Sequence, residues 1–174
     1  QIVEEKDAKT SKKKRRQIWP RYHQLDVVRR VLADVRARGV GKRYLIQHSA
    51  GSGKSNSIAW LAHQLVGVGR EGKRVFDSVI VVTDRTVLDD QIQATIKQFR
   101  QVSATVGHAD HSGDLRKFIE QGKKIIVSTI QKFPYILDDL ESAEGKTFAI
   151  VIDEAHSSQG GKASVAMGRA LGEP

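Results

Sequence analysis

The sequence predicts an α/β fold in which a mostly parallel sheet is covered by helices on both faces. Short continuous apolar runs, typical of strands buried on both faces, alternate with segments whose apolar residues recur at helical spacing. A glycine-rich loop follows one such run and precedes a helical segment, and an Asp-Glu pair follows another. Strands that alternate with helices need crossover connections, and these produce a parallel sheet.

The first elements follow a polar, charged segment, residues 1–16, which we interpret as a linker or tail because it has no hydrophobic period. Pro20 suits the first turn of a helix, which Gly39 is expected to end. Residues 44–46 are expected to form the first strand, and residues 56–66 the second helix. Apolar residues recur at helical spacing in both helices: Val28, Val31, Leu32, Val35, Ile58, Leu61, Ala62 and Leu65.

The second half of the chain continues the alternation. The β-branched run at 78–82 predicts a strand buried on both faces. Helices are predicted at 86–99 and 112–121, and further strands at 102–106, 124–128 and 147–152. His108 and His111 flank a segment that we interpret as a loop, because no third metal ligand stands at a defined spacing from them.

Residues 47–55, Gln-His-Ser-Ala-Gly-Ser-Gly-Lys-Ser, predict a phosphate-binding loop. The full pattern G-x-x-x-x-G-K-[ST] has glycine where this chain has His48, so an ordinary turn is the alternative. A helix N-terminus after the loop would offer backbone N–H groups and a positive dipole end to an anion. Lys54 would reach the β- and γ-phosphates, and the Ser55 hydroxyl would bind Mg²⁺. The expected nucleotide-binding residues of the loop are Ala50, Gly51, Ser52, Gly53, Lys54 and Ser55.

Asp153 and Glu154 follow five apolar residues that read as a buried strand. Two adjacent carboxylates at such a place are costly unless their charge is used, although a solvated loop pair is the alternative. Asp153 is suited to hold hydrated Mg²⁺, and Glu154 to orient and deprotonate an attacking water. Other polar residues follow the predicted strands at 83–85 and 129–132, so the polar groups are expected to share the carboxyl edge of the sheet.

Composition limits the class of protein. There are no cysteines, hence no disulfide framework and no thiolate metal site. No apolar run approaches the roughly 18 residues of a membrane span, and no signal peptide is visible, so a cytoplasmic protein is expected. Residues 1–43 contain 14 Lys/Arg and 5 Asp/Glu, whereas residues 44–174 contain 15 of each. The basic run at 12–16 could contact nucleic-acid phosphates or simply be solvated.

The order of these motifs resembles the first RecA-like motor domain of superfamily-two helicases and translocases, and most closely the R (HsdR-like) subunit of type I restriction enzymes. The run Thr-Asp-Arg-Thr-Val-Leu-Asp-Asp-Gln at 83–91 favours the restriction subunit. The resemblance rests on residues 21–24 (Arg-Tyr-His-Gln), 48–55, 82–85, 128–133 and 153–159.

The resemblance implies a three-layer RecA-like P-loop NTPase domain over residues 17–174, incomplete at its C-terminus, that binds ATP and Mg²⁺ and moves on double-stranded DNA. It implies that Gln24 reads the adenine edge, that Thr83, Arg85 and Thr129 lie along DNA, and that His156 couples the nucleotide site to a second motor domain. A surface glutamine is the alternative for Gln24, and helix capping with a local ion pair for Thr83 and Arg85.

The implied partners are double-stranded DNA, the modification and specificity subunits of the restriction complex, and a second RecA-like domain in cis that supplies an arginine finger. That second domain, a nuclease domain and the Ser/Thr-rich motif after Asp153–His156 are not found in these residues. The last of these motifs ends a strand that the family places between the phosphate-loop strand and the strand before Asp153. The rival functions are a stand-alone DEAH-type helicase on DNA or RNA, and a nucleotide-binding fragment without turnover.

Overall fold

The computed structural model describes residues 2–6, 13–83, 106–108, 114–131 and 145–153. Within these ranges the helices are α1 (Tyr22–Arg38), α2 (Lys54–Gly67) and α3 (Asp114–Glu120). The strands are β1 (Ile2–Lys6), β2 (Lys13–Gln17), β3 (Gly69–Arg70), β4 (Lys73–Arg74), β5 (Ser78–Thr83), β6 (Val106–His108), β7 (Ile125–Thr129) and β8 (Phe148–Ile152).

Four parallel strands form the main sheet, in the order β6-β7-β5-β8. In the register of the sheet, Val82 lies between Ser128 of β7 and Ile152 of β8. Every residue of β5 and β7 is buried, as expected for continuous β-branched strands covered on both faces. The predicted α/β class is thereby confirmed, and β5, β7 and β8 begin and end within one residue of the predicted strands.

Helices α1 and α2 pack against each other, and α2 packs on the sheet. All eight apolar residues predicted for the inner faces of the two helices are buried in one core with β5 and β7. Helix α1 begins two residues after Pro20 and ends at Gly39, whose φ of 74° suits glycine. Among the described helices none is long and apolar enough to cross a membrane.

Two strand predictions differ from the structure. The strand predicted at 102–106 is found at Val106–His108, so His108 lies in β6 rather than in a loop; residues 102–105 lie outside the described ranges. Residues 44–46 form no strand, and Leu45 is 93% exposed. A strand needs a neighbouring strand for its backbone hydrogen bonds. Among the described residues, no strand lies beside residues 44–46 to form these bonds. The helix predicted at 86–99 lies outside the described residues.

Two short antiparallel pairs were not expected from the sequence. β1 pairs with β2 in the segment interpreted as a linker or tail, and the register sets Glu4 opposite Arg15 and Glu5 opposite Lys14. β3 and β4 are joined at Glu71 and Gly72, with φ of 52° and 77°. Positive φ at both central residues is typical of a tight hairpin turn.

Candidate nucleotide site

The carboxyl ends of β5, β7 and β8 meet at one edge of the sheet, as the polar residues after the predicted strands indicated. The Asp153 backbone N–H donates to the Val82 carbonyl oxygen at 2.8 Å, and the Ile130 N–H donates to the Thr83 carbonyl oxygen at 2.7 Å. These bonds continue the strand ladder past its last residues. They hold Thr83, Thr129 and Asp153 side by side, each no more than 3% exposed.

The glycine-rich loop reaches this edge and starts α2. Gly51 and Gly53 have φ of 71° and 82°, a conformation that other residues adopt only with strain. Gly53 caps α2 without a side-chain hydrogen bond, and no acidic residue stands in the first turn of the helix. The backbone N–H groups at the start of α2 therefore keep the positive end of the helix available to an anion, as a phosphate site requires.

Gly53 is also required by its surroundings. A Cβ atom at this position would lie 2.6 Å from Nε2 of Gln24. That side chain is 3% exposed, and its amide is fully engaged with backbone groups. Its oxygen accepts from the Arg21 N–H at 2.8 Å, and its nitrogen donates to the Ser52 and Gly53 carbonyl oxygens at 3.1 and 2.9 Å. Gln24 is therefore not a surface glutamine: it ties the start of α1 to the phosphate loop.

His48 stands where the loop pattern has glycine, and the structure shows why it is tolerated. Its φ is not positive, so no backbone strain arises from the side chain. Its Nδ1 lies 3.4 Å from Ser52 Oγ, and its ring meets the His23 ring edge-on at 5.7 Å between centroids. His23 in turn places Nε2 3.2 Å from the Ser52 carbonyl oxygen. The two imidazoles therefore brace the loop from the side of α1.

The His48 imidazole is held in an apolar and positively charged setting. Burial is the main cause that lowers its pKa below the usual value, and the nearby His23 and Lys54 lower it further. Its Nε2 is buried and has no hydrogen-bond partner among the described residues. The neutral imidazole is the form that these surroundings favour.

Lys54 and Asp153 bring the two predicted motifs together. Lys54 Nζ lies 3.2 Å from Asp153 Oδ1, and the carboxylate side chain is only 2% exposed whereas the lysine side chain is 36% exposed. The pair is therefore open to solvent on the lysine side. A buried carboxylate needs a cation or hydrogen bonds to remain charged, and Lys54 supplies the cation here.

Ser55 and Asp153 fit Mg²⁺ by the chemistry of their donors. A hydroxyl and a carboxylate are oxygen ligands, and Mg²⁺ characteristically takes one or two such protein ligands together with water and substrate phosphates. Within the described ranges, no group of three His, Cys, Asp or Glu side chains is placed to hold a metal ion by itself.

A cleft of about 350 Å³ opens beside the loop. Its size lies in the range of small-ligand pockets. Tyr22 belongs to the lining of this cleft and is 83% exposed. Apart from its place in the run at 21–24, no pattern in the sequence indicated this residue. The residues that line it are Tyr22, His23, Asp26, Val27, Gln47, His48, Ser49 and Ser52.

Several predicted site residues remain predictions. Arg85, Glu154 and His156 lie outside the described residues. Thr83 and Thr129 are at the predicted edge, but their side chains are buried, and Thr83 Oγ1 lies 3.5 Å from the Ser128 carbonyl oxygen. Contact of either threonine with DNA would require that these side chains become exposed.

Comparison with known proteins gives a family and a fold. Residues 23–173 match the family model described as SWI2/SNF2 ATPase. The structure is similar to a crystal structure of the UvsW helicase from bacteriophage T4, with a TM-score of 0.62 and 20% identity over 90% of this chain and 50% of that one. A second structure of T4 UvsW gives a TM-score of 0.53 and 16% identity over 88% of this chain and 33% of that one. No curated protein matches the chain.

Proposed function

We propose that this chain, which belongs to the SWI2/SNF2 ATPase family, binds ATP with Mg²⁺ at the loop of residues 47–55 and hydrolyses it to drive movement on double-stranded DNA. The observation that carries the proposal is the contact of 3.2 Å between Lys54 Nζ and Asp153 Oδ1. It joins a phosphate-binding loop to a buried carboxylate at a strand end, the two parts that phosphoryl transfer needs next to each other.

The ion pair supports a simple exchange of partners on nucleotide binding. The β- and γ-phosphates would replace Asp153 as the partner of Lys54, since both offer anionic oxygens to the ammonium group. Asp153 would then be available, with the Ser55 hydroxyl, to hold Mg²⁺. Bound Mg²⁺ supplies charge neutralisation between the phosphates.

The remaining predicted roles belong to the same proposal. Glu154, next to Asp153 in the sequence, would orient the attacking water and accept its proton. The cleft beside Tyr22 and His23 would receive the adenine ring, and Gln24 would read the edge of this ring by exchanging one of its backbone hydrogen bonds. His156 would couple the site to a second RecA-like domain, and Thr83, Arg85 and Thr129 would follow the DNA.

We further propose that the parent protein is the R subunit of a type I restriction enzyme, working with modification and specificity subunits in the cytoplasm. The run at 83–91 supports this assignment. The chain spans 50% and 33% of the lengths of the two UvsW structures it resembles, so the activity of the whole protein is itself part of the proposal.

A stand-alone helicase is the rival function, since the protein in the similar structures is described as a helicase. Two assays on the full-length protein separate the two activities. A translocase displaces the third strand of a triplex while its duplex stays paired, whereas a helicase separates the duplex itself.

The nucleotide chemistry is tested by two substitutions and one control. Lys54→Ala should weaken ATP binding in calorimetry by about 10- to 100-fold, because a charge-assisted contact contributes about 1.5–3 kcal/mol. Glu154→Gln in the full-length protein should retain ATP binding but stop phosphate release, because an amide cannot accept the proton of water. Arg29→Ala removes an exposed cation of α1 and should change neither measurement. Unchanged ATP binding by Lys54→Ala would contradict the proposed site.

A further inference from the structure

The amino-terminal edge of the main sheet, opposite the phosphate loop, gathers basic residues from four separate parts of the chain. Residues 34–43, 70–77, 120–124 and 145–147 contain 10 Lys/Arg and 4 Asp/Glu, an excess of six positive charges. The described residues at the phosphate-loop edge, 47–57, 83, 129–131 and 153, contain one Lys and one Asp. Of these two sets of segments, the set at the amino-terminal edge therefore carries the larger excess of positive charge.

Helix α1 and the β3–β4 hairpin form the first part of this surface. Arg36 and Arg38 lie in the last turn of α1, and Lys42 and Arg43 follow it; all four are exposed. The Arg70 guanidinium approaches the end of α1, since a Cβ on Gly39 would lie 2.9 Å from its Nη1. The hairpin therefore sits at the C-terminal end of this helix.

The β3–β4 hairpin connects the end of α1 to the amino ends of the strands of the main sheet. Lys73 and Arg74 are exposed on β4. Thr147 Oγ1 donates a hydrogen bond of 2.8 Å to the carbonyl oxygen of the next residue, Val75. Thr147 directly precedes β8 and follows the exposed Lys146. The basic hairpin therefore contacts the amino end of β8.

The start of β7 completes the surface. Lys124 Nζ donates to the Asp77 carbonyl oxygen at 3.3 Å, and the Lys123 carbonyl oxygen accepts from Ser78 Oγ at 2.8 Å. These contacts fix both lysines beside the start of β5. From α1 to β7 the basic groups therefore form one continuous surface, which we call the basic edge: Arg36, Arg38, Lys42, Arg43, and the lysines and arginines at 70–74, 123–124 and 146.

We propose that the basic edge binds the phosphate backbone of double-stranded DNA, as a second contact on the face away from the nucleotide site. The choice of DNA as the polyanion that binds here rests on the proposed function. These cations are exposed except for the half-buried Lys123 and Lys124, and they are not gathered in a defined pocket. Separate cations of this kind suit the regular negative charge of a duplex, and such contacts position DNA without reading its sequence. Acidic residues at this edge are partly neutralised by these cations, as Asp34 pairs with Arg38 and Glu71 with Arg70.

The test compares two variants of equal charge by fluorescence anisotropy with a mixed-sequence 30-bp duplex, without nucleotide. The edge variant is Lys73→Ala/Arg74→Ala. The control variant, Arg29→Ala/Arg30→Ala, removes two exposed cations of α1 that lie outside the basic edge. At low salt the edge variant should lose at least about tenfold in affinity, and its log Kd–log salt slope should fall by up to about 1.8, since each phosphate contact contributes about 0.9. The control should lose less than about threefold.

Two outcomes would overturn the inference. One is equal affinity and equal salt slope in the edge and control variants. The other is an edge variant that keeps its DNA affinity but loses affinity for polyglutamate, which would make the edge a site for acidic polypeptides. Circular dichroism confirms that both variants are folded. The edge variant should keep the ATP affinity of the parent in calorimetry. Because ATP affinity reports the nucleotide site and DNA affinity the basic edge, failure of the proposed function and failure of this inference are distinguishable.

Discussion

At the scale of single residues, the phosphate loop combines glycines that are needed with a histidine that is tolerated. Gly53 has positive φ and leaves no space for a Cβ beside Gln24. His48 has neither constraint, and its imidazole braces Ser52. The sequence pattern alone predicts Lys54, Ser55 and the glycines because phosphate chemistry requires those residue types at that spacing. It could not predict the His23–His48 contact, which depends on how α1 approaches the loop.

The lowered pKa of His48 gives a prediction about stability. The unfolded chain takes up a proton near the usual histidine pKa of 6.5, whereas the folded state resists protonation down to lower pH. The unfolded state then binds more protons, so the folded state loses stability as the pH falls below about 6.5. His48→Gln should reduce this loss, seen as a smaller drop in melting temperature, by a few degrees, between about pH 7.5 and about pH 5.

Gln64→Ala, which changes an exposed position of α2 that carries no titratable group, is the control and should retain the pH dependence of the parent. Identical melting curves for parent and His48→Gln at both pH values would show that His48 titrates normally and that its surroundings do not favour the neutral form.

At the scale of elements, the buried strands and amphipathic helices were predictable, but the short pairs and the loop–helix connection were not. β5 and β7 are continuous β-branched runs, and α1 and α2 carry their apolar residues at helical spacing. The β3–β4 hairpin has two residues in each strand, too few to show an alternation of apolar and polar residues. Residues 44–46 are the opposite case, a predicted strand that does not form. Their apolar composition is local and does not supply the neighbouring strand that backbone hydrogen bonds require.

Gln24 yields a prediction at this scale, because it joins α1 to the loop. Gln24→Ala removes three hydrogen bonds and leaves the Ser52 and Gly53 carbonyl groups without this donor. We expect the free energy of unfolding in urea, without nucleotide, to fall by about 2–3 kcal/mol. Gln64→Ala, at an exposed position of α2, should change it by less than about 0.5 kcal/mol. If stability is retained and only ATP affinity falls, Gln24 acts on the base and does not tie the elements together.

At the scale of the whole molecule, the two edges of the main sheet differ in chemistry. The carboxyl edge brings together the phosphate loop, Asp153 and the cleft, as parallel α/β sheets generally place their ligands. The amino edge collects positive charge from segments far apart in the sequence. Counting charge along the chain pointed only to residues 12–16, because residues 44–174 as a whole contain equal numbers of Lys/Arg and Asp/Glu. Only the fold assembles that surface.

The last prediction concerns turnover by residues 1–174 assayed by themselves. We expect slow ATP hydrolysis with or without DNA, because the resemblance assigns the arginine finger to a second RecA-like domain, and such a finger contributes on the order of 10³–10⁵ in rate. Lys54 cannot replace it, since its ammonium group is already assigned to the β- and γ-phosphates from the side of the loop. Steady-state phosphate release should therefore be at least about a thousandfold slower than that of the full-length protein with DNA. Nucleotide binding, measured in parallel by calorimetry, should persist in residues 1–174 and be weakened by about 10- to 100-fold on Lys54→Ala. Rapid, DNA-stimulated release from residues 1–174 would show that the catalytic groups are complete within them, and that the assignment of the finger to another domain is wrong.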